Sequence, residues 1–164
     1  MKISVDLENH FIPDKYSKLA EIKQSNQPII SFPIKLEDLP DKTKYLAISL
    51  IDYDAVPRTG FPFIHWLAVD IPVTGQIPED FSRNFTGPQG KNAWFSRFYD
   101  LDDEYVMNHY AGPVPPDKSH TYTLTVYALS GATKLNNGFF YNEFREAIKN
   151  KVIEQTELGL KAKN

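Results

Sequence analysis

Four short segments of this chain carry residue types that could do chemistry. They are Asp52-Tyr53-Asp54-Ala55-Val56-Pro57, His65-Trp66, Tyr110-Ala111-Gly112-Pro113-Val114-Pro115-Pro116 and His120-Thr121-Tyr122. Two imidazoles can each donate a hydrogen bond to an anionic oxygen, and a charge-assisted bond of this kind is roughly twice as strong as a neutral one. A carboxylate beside an imidazole fixes its tautomer, raises its pKa, or meets a ligand ammonium. The same groups would suffice for acid–base hydrolysis of a phosphoester, or for a metal site of His and carboxylate ligands. Each segment alone also has an ordinary explanation. Asp-x-Asp ahead of a proline is turn chemistry, a histidine between Ile64 and Trp66 suits a core, and Pro115-Pro116 makes a rigid connector. No nucleophile elbow, Gly-rich phosphate loop, H-E-x-x-H or dinucleotide fingerprint occurs, so no catalytic residue and no metal ligand is assigned.

The elements that must position these residues are mostly strands. Residues 45–51 are nearly continuous in apolar side chains, the pattern of a strand buried on both faces. Residues 120–127 alternate, with Thr121, Thr123 and Thr125 on one face and Tyr122, Leu124 and Val126 on the other. A third strand is predicted over 63–71, stopped by Pro72, and an edge strand over 29–33. Residues 81–116 lack periodicity, and a loop of that length in a compact domain is expected to be functional or mobile. Near the C-terminus, Asn142 can cap a helix that places Phe144, Ala147, Ile148, Lys151 and Val152 on one face, with Gly159 as its stop. The pattern is mainly β: a sandwich with a late helix.

Composition bounds the remaining possibilities. The 164 residues suit one domain, 1–164, and 41% apolar with 24% charged residues is ordinary for a globular protein. Lys+Arg 18 against Asp+Glu 21 leaves a net charge of −3, without the basic excess that nucleic-acid or anionic-lipid binding usually needs. There is no cysteine, which removes disulfides, zinc-thiolate sites and a catalytic thiol and fits a reducing cytoplasm. The N-terminus meets Asp6 and Glu8 before any apolar run, unlike a secretory signal, and no apolar stretch approaches the roughly 20 residues of a membrane helix. A cytoplasmic protein without integral membrane contact is expected.

Taken together, in their order and spacing, the four segments resemble the phosphatidylethanolamine-binding protein family, also known as Raf kinase inhibitor-like proteins. Its members show D-P-D-A-P, then H-W or H-H, then G-x-x-P-P, then H-x-Y. Gly87-Pro88-Gln89-Gly90-Lys91-Asn92 is similar to a loop of the bacterial members. The chain departs from the pattern at Tyr53, at the added Val56, and in a longer aromatic and acidic segment over 93–109. The resemblance implies a β-sandwich of two antiparallel sheets with a C-terminal α-helix. It also implies a small surface pocket lined by Asp52, Asp54, His65, Tyr110, Gly112, Pro115, His120 and Tyr122. Gly112 would let backbone amides approach an anion, and Pro115-Pro116 would stiffen the rim. The implied role is non-catalytic and cofactor-free: binding a small anionic or zwitterionic phosphorylated ligand, with a kinase or protease as a possible protein partner. The alternatives are an inhibitor of such an enzyme acting through an exposed loop at 93–109, or a phosphoester hydrolase using the Asp/His cluster.

Overall fold

In the computed structural model, which describes residues 1–164, the alternating segments form the strands of a central sheet. The strands are β1 (Lys2–Ser4), β2 (Lys23–Gln24), β3 (Gln27–Pro28), β4 (Ile34–Glu37), β5 (Tyr45–Asp52), β6 (Phe63–Pro72), β7 (Gln76–Ile77), β8 (His120–Leu129) and β9 (Val152–Ala162). The helices are short: α1 (Val56–Thr59), α2 (Phe81–Asn84), α3 (Glu104–Met107) and α4 (Tyr141–Ile148). A four-stranded antiparallel sheet runs in the order β6-β5-β8-β9, a three-stranded one in the order β1-β4-β7, and β2 and β3 pair separately.

One face of the large sheet packs on the small one. Leu46, Ile48 and Leu50 of β5, Leu124 and Val126 of β8 and Trp66 of β6 meet Ile34, Leu36 and Ile77 in a cluster of 19 buried residues. The opposite face contributes Ala47, Leu67, Val69 and Leu129 to a second cluster closed by Phe144 and Ile148 of α4. β5 is thus covered on both sides, which is why its sequence is apolar at almost every position.

Two sequence expectations are corrected. The predicted helix continues only to Ile148; Glu143 accepts a hydrogen bond from the Phe140 amide (2.8 Å), so Phe140, not Asn142, is the residue at the cap. Beyond a turn at 149–151 the chain returns as β9, where even-numbered residues face inward and odd-numbered ones outward, paired along β8 from Val152 opposite Leu129 to Ala162 opposite His120. Val152 fits the helical spacing, but pairing with Leu129 makes it a strand residue, and a register shift there turns it to the α4 side of the sheet. Gly159 is therefore a strand residue opposite Thr123. The predicted edge strand at 29–33 is mostly buried but joins no ladder: the Ser31 carbonyl accepts from the Asp80 amide and its hydroxyl from the Ser82 amide. The strand lies just beyond, at β4.

The aperiodic region closes the outer edge of β6. Val69 N–H donates to Pro88 O (3.1 Å), Gly90 N–H to Leu67 O (3.0 Å) and Ala111 N–H to His65 O (3.1 Å). Gln89, buried, accepts from Trp66 Nε1 at 2.9 Å and from Ser82 Oγ at 2.7 Å, so the 87–92 loop is bolted to the core. No helix is long and apolar enough to cross a membrane.

Candidate functional site

The motif residues converge where β5, β6 and β8 end. Asp52 closes the row Leu46, Ile48, Leu50 on the core face of β5, and the antiparallel register sets it opposite Tyr122. His120 lies two residues before Tyr122 and so on the same face. Its Nδ1 meets Asp52 Oδ2 at 2.7 Å and its Nε2 meets Asp117 Oδ1 at 2.9 Å. The other Asp52 oxygen accepts from the Ala55 amide, 3.2 Å away, tying the turn after β5 to the same carboxylate. Burial works against a charge on His120, but Asp52 and then Asp117 outweigh it and raise its pKa above the usual 6.5.

His65 reaches the same place by a different route. Leu50 pairs with Trp66 and Ile51 with Ile64, leaving His65 as the extra residue of a β-bulge. Ile64 and Leu67 turn toward α4, whereas His65 and Trp66 both lie on the core side, with the His65 ring against Phe63 (4.7 Å) and Tyr122 (5.0 Å). Its Nδ1 lies 2.7 Å from the Ala111 carbonyl, an acceptor, so this nitrogen carries the proton and Nε2 presents a lone pair. Burial lowers its pKa to about 4, outweighing the Ala111 hydrogen bond and the nearby Asp52 charge. Only one of the two imidazoles is therefore set up as a cation; the expectation that both donate to a phosphate is corrected for His65.

These residues line a cavity of about 200 Å³. Asp52, His65, Gly112, His120 and Tyr122 are in its wall; Asp54, Tyr110 and Pro115 are not. Asp54 is exposed and accepts from the Thr121 amide at 2.9 Å, joining the turn after β5 to the start of β8. Tyr110 is fully buried, its hydroxyl donating to Tyr16 O at 2.9 Å and its ring packed on Phe32 and Trp66. Pro115 is buried, and Pro116 lines the cavity instead. Gly112 lines it without offering its amide, which donates to Pro28 O at 2.8 Å. A Cβ there would stand 2.4 Å from Tyr16 O and 2.8 Å from Pro28 Cβ, so this glycine permits close backbone packing rather than the approach of an anion. Tyr122 keeps its phenol proton, because burial, then Asp52 and Asp54, push its pKa well up.

Motif reading missed Arg58, Phe63 and Tyr99, which also line the cavity. Arg58 stands on α1, just past the aspartate motif, and takes part in none of the protein's ion pairs. A signal was present: it is the only Lys or Arg between Lys44 and Arg83. The aromatic wall comes from the 93–109 segment and β6. Trp94, Tyr99 and Phe63 meet edge to face, with centroids 4.9–5.5 Å apart. Trp94 Nε1 is buried there without a hydrogen-bond partner. The segment is held by Asn92, whose side-chain amide donates to Val106 O and His109 O, and by Asp103, which accepts from Ser25, Gln24 and the Val106 amide. It is a wall of the cavity, not a free loop. Phe98, 71% exposed, stacks on Phe61 outside.

Comparisons with known proteins bear on the family and the fold. The profile of the family described as Phosphatidylethanolamine-binding protein matches residues 3–163. The uncharacterized protein YxkA of Bacillus subtilis is 42% identical over 160 residues, covering 94% of this chain and 95% of its own length. UPF0098 protein PH1269 of Pyrococcus horikoshii is 32% identical over 157 residues, covering 94% of this chain and 72% of its own length. In fold, the chain is similar to CT736 of Chlamydia trachomatis, a phosphatidylethanolamine-binding protein homolog, with a TM-score of 0.75 at 24% identity over 94% of this chain and 90% of that one. E. coli YbcL, a member of the mammalian family of that name, gives a TM-score of 0.75 at 19% identity over 99% and 98% of the two chains. With a profile that spans nearly the whole sequence and a sandwich of the same shape, this chain belongs to the phosphatidylethanolamine-binding protein family.

Proposed function

We propose that the cavity binds a small anionic or zwitterionic phosphorylated group without transforming it, and that the protein is a binding or regulatory module. The observation that carries this reading is one cavity lined by the buried, carboxylate-held imidazole of His120, the unpaired guanidinium of Arg58 and the aromatic side chains of Trp94 and Tyr99. A phosphate oxygen suits both cations, and arginine offers it a planar pair of donors. A ligand ammonium suits the faces of Trp94 and Tyr99 and the Nε2 lone pair of His65. At about 200 Å³ the cavity is smaller than the roughly 300 Å³ at which drug-sized ligand pockets begin, so it matches a head group rather than a whole lipid.

A general base needs a free nitrogen. Both nitrogens of His120 face carboxylates, so it stands as an imidazolium without a lone pair, and burial leaves His65, whose Nε2 is free, a weak base; together they favour an anchor over a hydrolytic dyad. The 93–109 segment is built into the wall and offers little as the detached inhibitory loop of a kinase or protease inhibitor. The cysteine-free sequence suits a cytoplasmic setting. An NMR titration of the four histidines with inorganic phosphate and with phosphorylethanolamine tests the reading. His120 and His65 are expected to shift while His10 and His109 stay still; silence of all four at millimolar concentrations would remove it.

A further inference from the structure

His120 is held between two carboxylates that differ in burial and in what anchors them. Asp52 is only 3% exposed, sits at the end of a central strand and spends its second oxygen on the Ala55 amide, so it cannot leave without opening the turn. The Asp117 side chain is 49% exposed and lies on the turn just before β8. Its backbone is pinned by Asn164, whose side-chain amide donates to Asp117 O at 2.7 Å. Release of its carboxylate from His120 therefore needs a side-chain rotation into water and the loss of one exposed hydrogen bond, from the Lys118 amide to the same oxygen at 2.9 Å.

The charges favour such an exchange. Asp52, His120 and Asp117 together carry a net negative charge, which repels an approaching anion. Once Asp117 swings out, the anion meets a balanced Asp52–His120 pair and the Arg58 guanidinium on the same cavity wall. The vacated position at Nε2, 2.9 Å from a carboxylate oxygen at rest, is already shaped for an anionic oxygen.

We propose that Asp117 is an internal stand-in for the ligand's anionic group, displaced from His120 Nε2 by a phosphate or carboxylate oxygen, and that it thereby sets the affinity of the cavity for anions. The inference rests on the anion-binding reading above and adds to it a competitor encoded three residues before the imidazole. A dianionic phosphate monoester displaces the stand-in more readily than a carboxylate, which only matches it. Neutral ligands gain nothing by the exchange.

The test is an isothermal and NMR titration of the full chain with inorganic phosphate, phosphorylethanolamine and acetate, for the native protein and for Asp117→Ala and Asp117→Asn. Asp117→Ala is expected to bind phosphate and acetate each about tenfold more tightly, with their ratio unchanged, and Asp117→Asn is expected between it and the native chain. Matching denaturation midpoints establish that both variants are folded. Equal phosphate affinity in all three proteins would overturn the stand-in while leaving the cavity an anion site. Weaker binding in both variants would overturn it too, making Asp117 part of the binding surface. No response of His120 in any of them would sink the anion reading, and the stand-in with it. Parallel gains for phosphate and phosphorylethanolamine locate recognition in the phosphate itself; a gain for phosphorylethanolamine alone would overturn simple displacement by an anionic oxygen.

Discussion

The two histidines of the cavity use the same side chain in opposite ways. At the strand-end side, His120 is drawn toward its charged form by Asp52 and Asp117 despite being buried. At the aromatic side, His65 is buried among Phe63, Tyr122 and the Ala111 carbonyl, and desolvation holds it neutral. Within one small cavity, an imidazole can thus be a cation or a lone-pair acceptor, and only its partners decide.

Removing the partner at the charged end should have the largest effect. Asp52→Ala leaves His120 without its inner carboxylate and the Ala55 amide without an acceptor, and breaking such a buried pair is expected to cost about 3 kcal/mol, read by chemical denaturation. The neutral end is tested by acid. The pKa of His65 falls from 6.5 to about 4 on folding, so its contribution to stability is complete above pH 6.5 and is lost as pH falls toward 4. Acidification across that window should cost the native protein on the order of 3 kcal/mol more than it costs His65→Gln. His120 has the opposite sign: its contribution is present below pH 6.5 and fades as pH rises through its raised value. Comparing the two histidines' titrations by NMR in one sample would show whether the contrast holds.

Smaller effects sharpen the picture. Gly112→Ala should destabilise by about 1–3 kcal/mol through the contacts with Tyr16 and Pro28, whether or not phosphate is present. Stabilisation of the variant by phosphate equal to that of the native chain would confirm a packing role, whereas selective loss of phosphate binding at unchanged stability would restore an anion role. Arg58→Ala, on the surface, should change stability by less than about 0.5 kcal/mol, yet weaken phosphate binding about tenfold. Unchanged affinity would leave His120 as the sole cation of the site.

Much of the frame was legible in the residues. Alternation is a local property of a strand, so Leu46, Ile48, Leu50 and Asp52 fall on one face of β5, and His120 with Tyr122 on one face of β8, without any knowledge of neighbours. The same local rule could not choose between helix and strand at 152–162, because the choice depended on β8 lying alongside. Nor could it see that Tyr110, spaced like a site residue, belongs to the core against Phe32 and Trp66.

The sequence by itself determined the mainly β class, the strands that carry Asp52, His65 and His120, and their family. Tertiary structure decided the rest. A one-residue register shift turned His65 to the cavity side, a turn brought Asp117 onto His120, and the 93–109 segment folded into an aromatic wall. Strand pattern is written by bonds between near neighbours along the chain. Charge state and cavity shape arise from groups far apart in sequence, as with Asp52 and His120, whose side chains meet only when the sheet has paired.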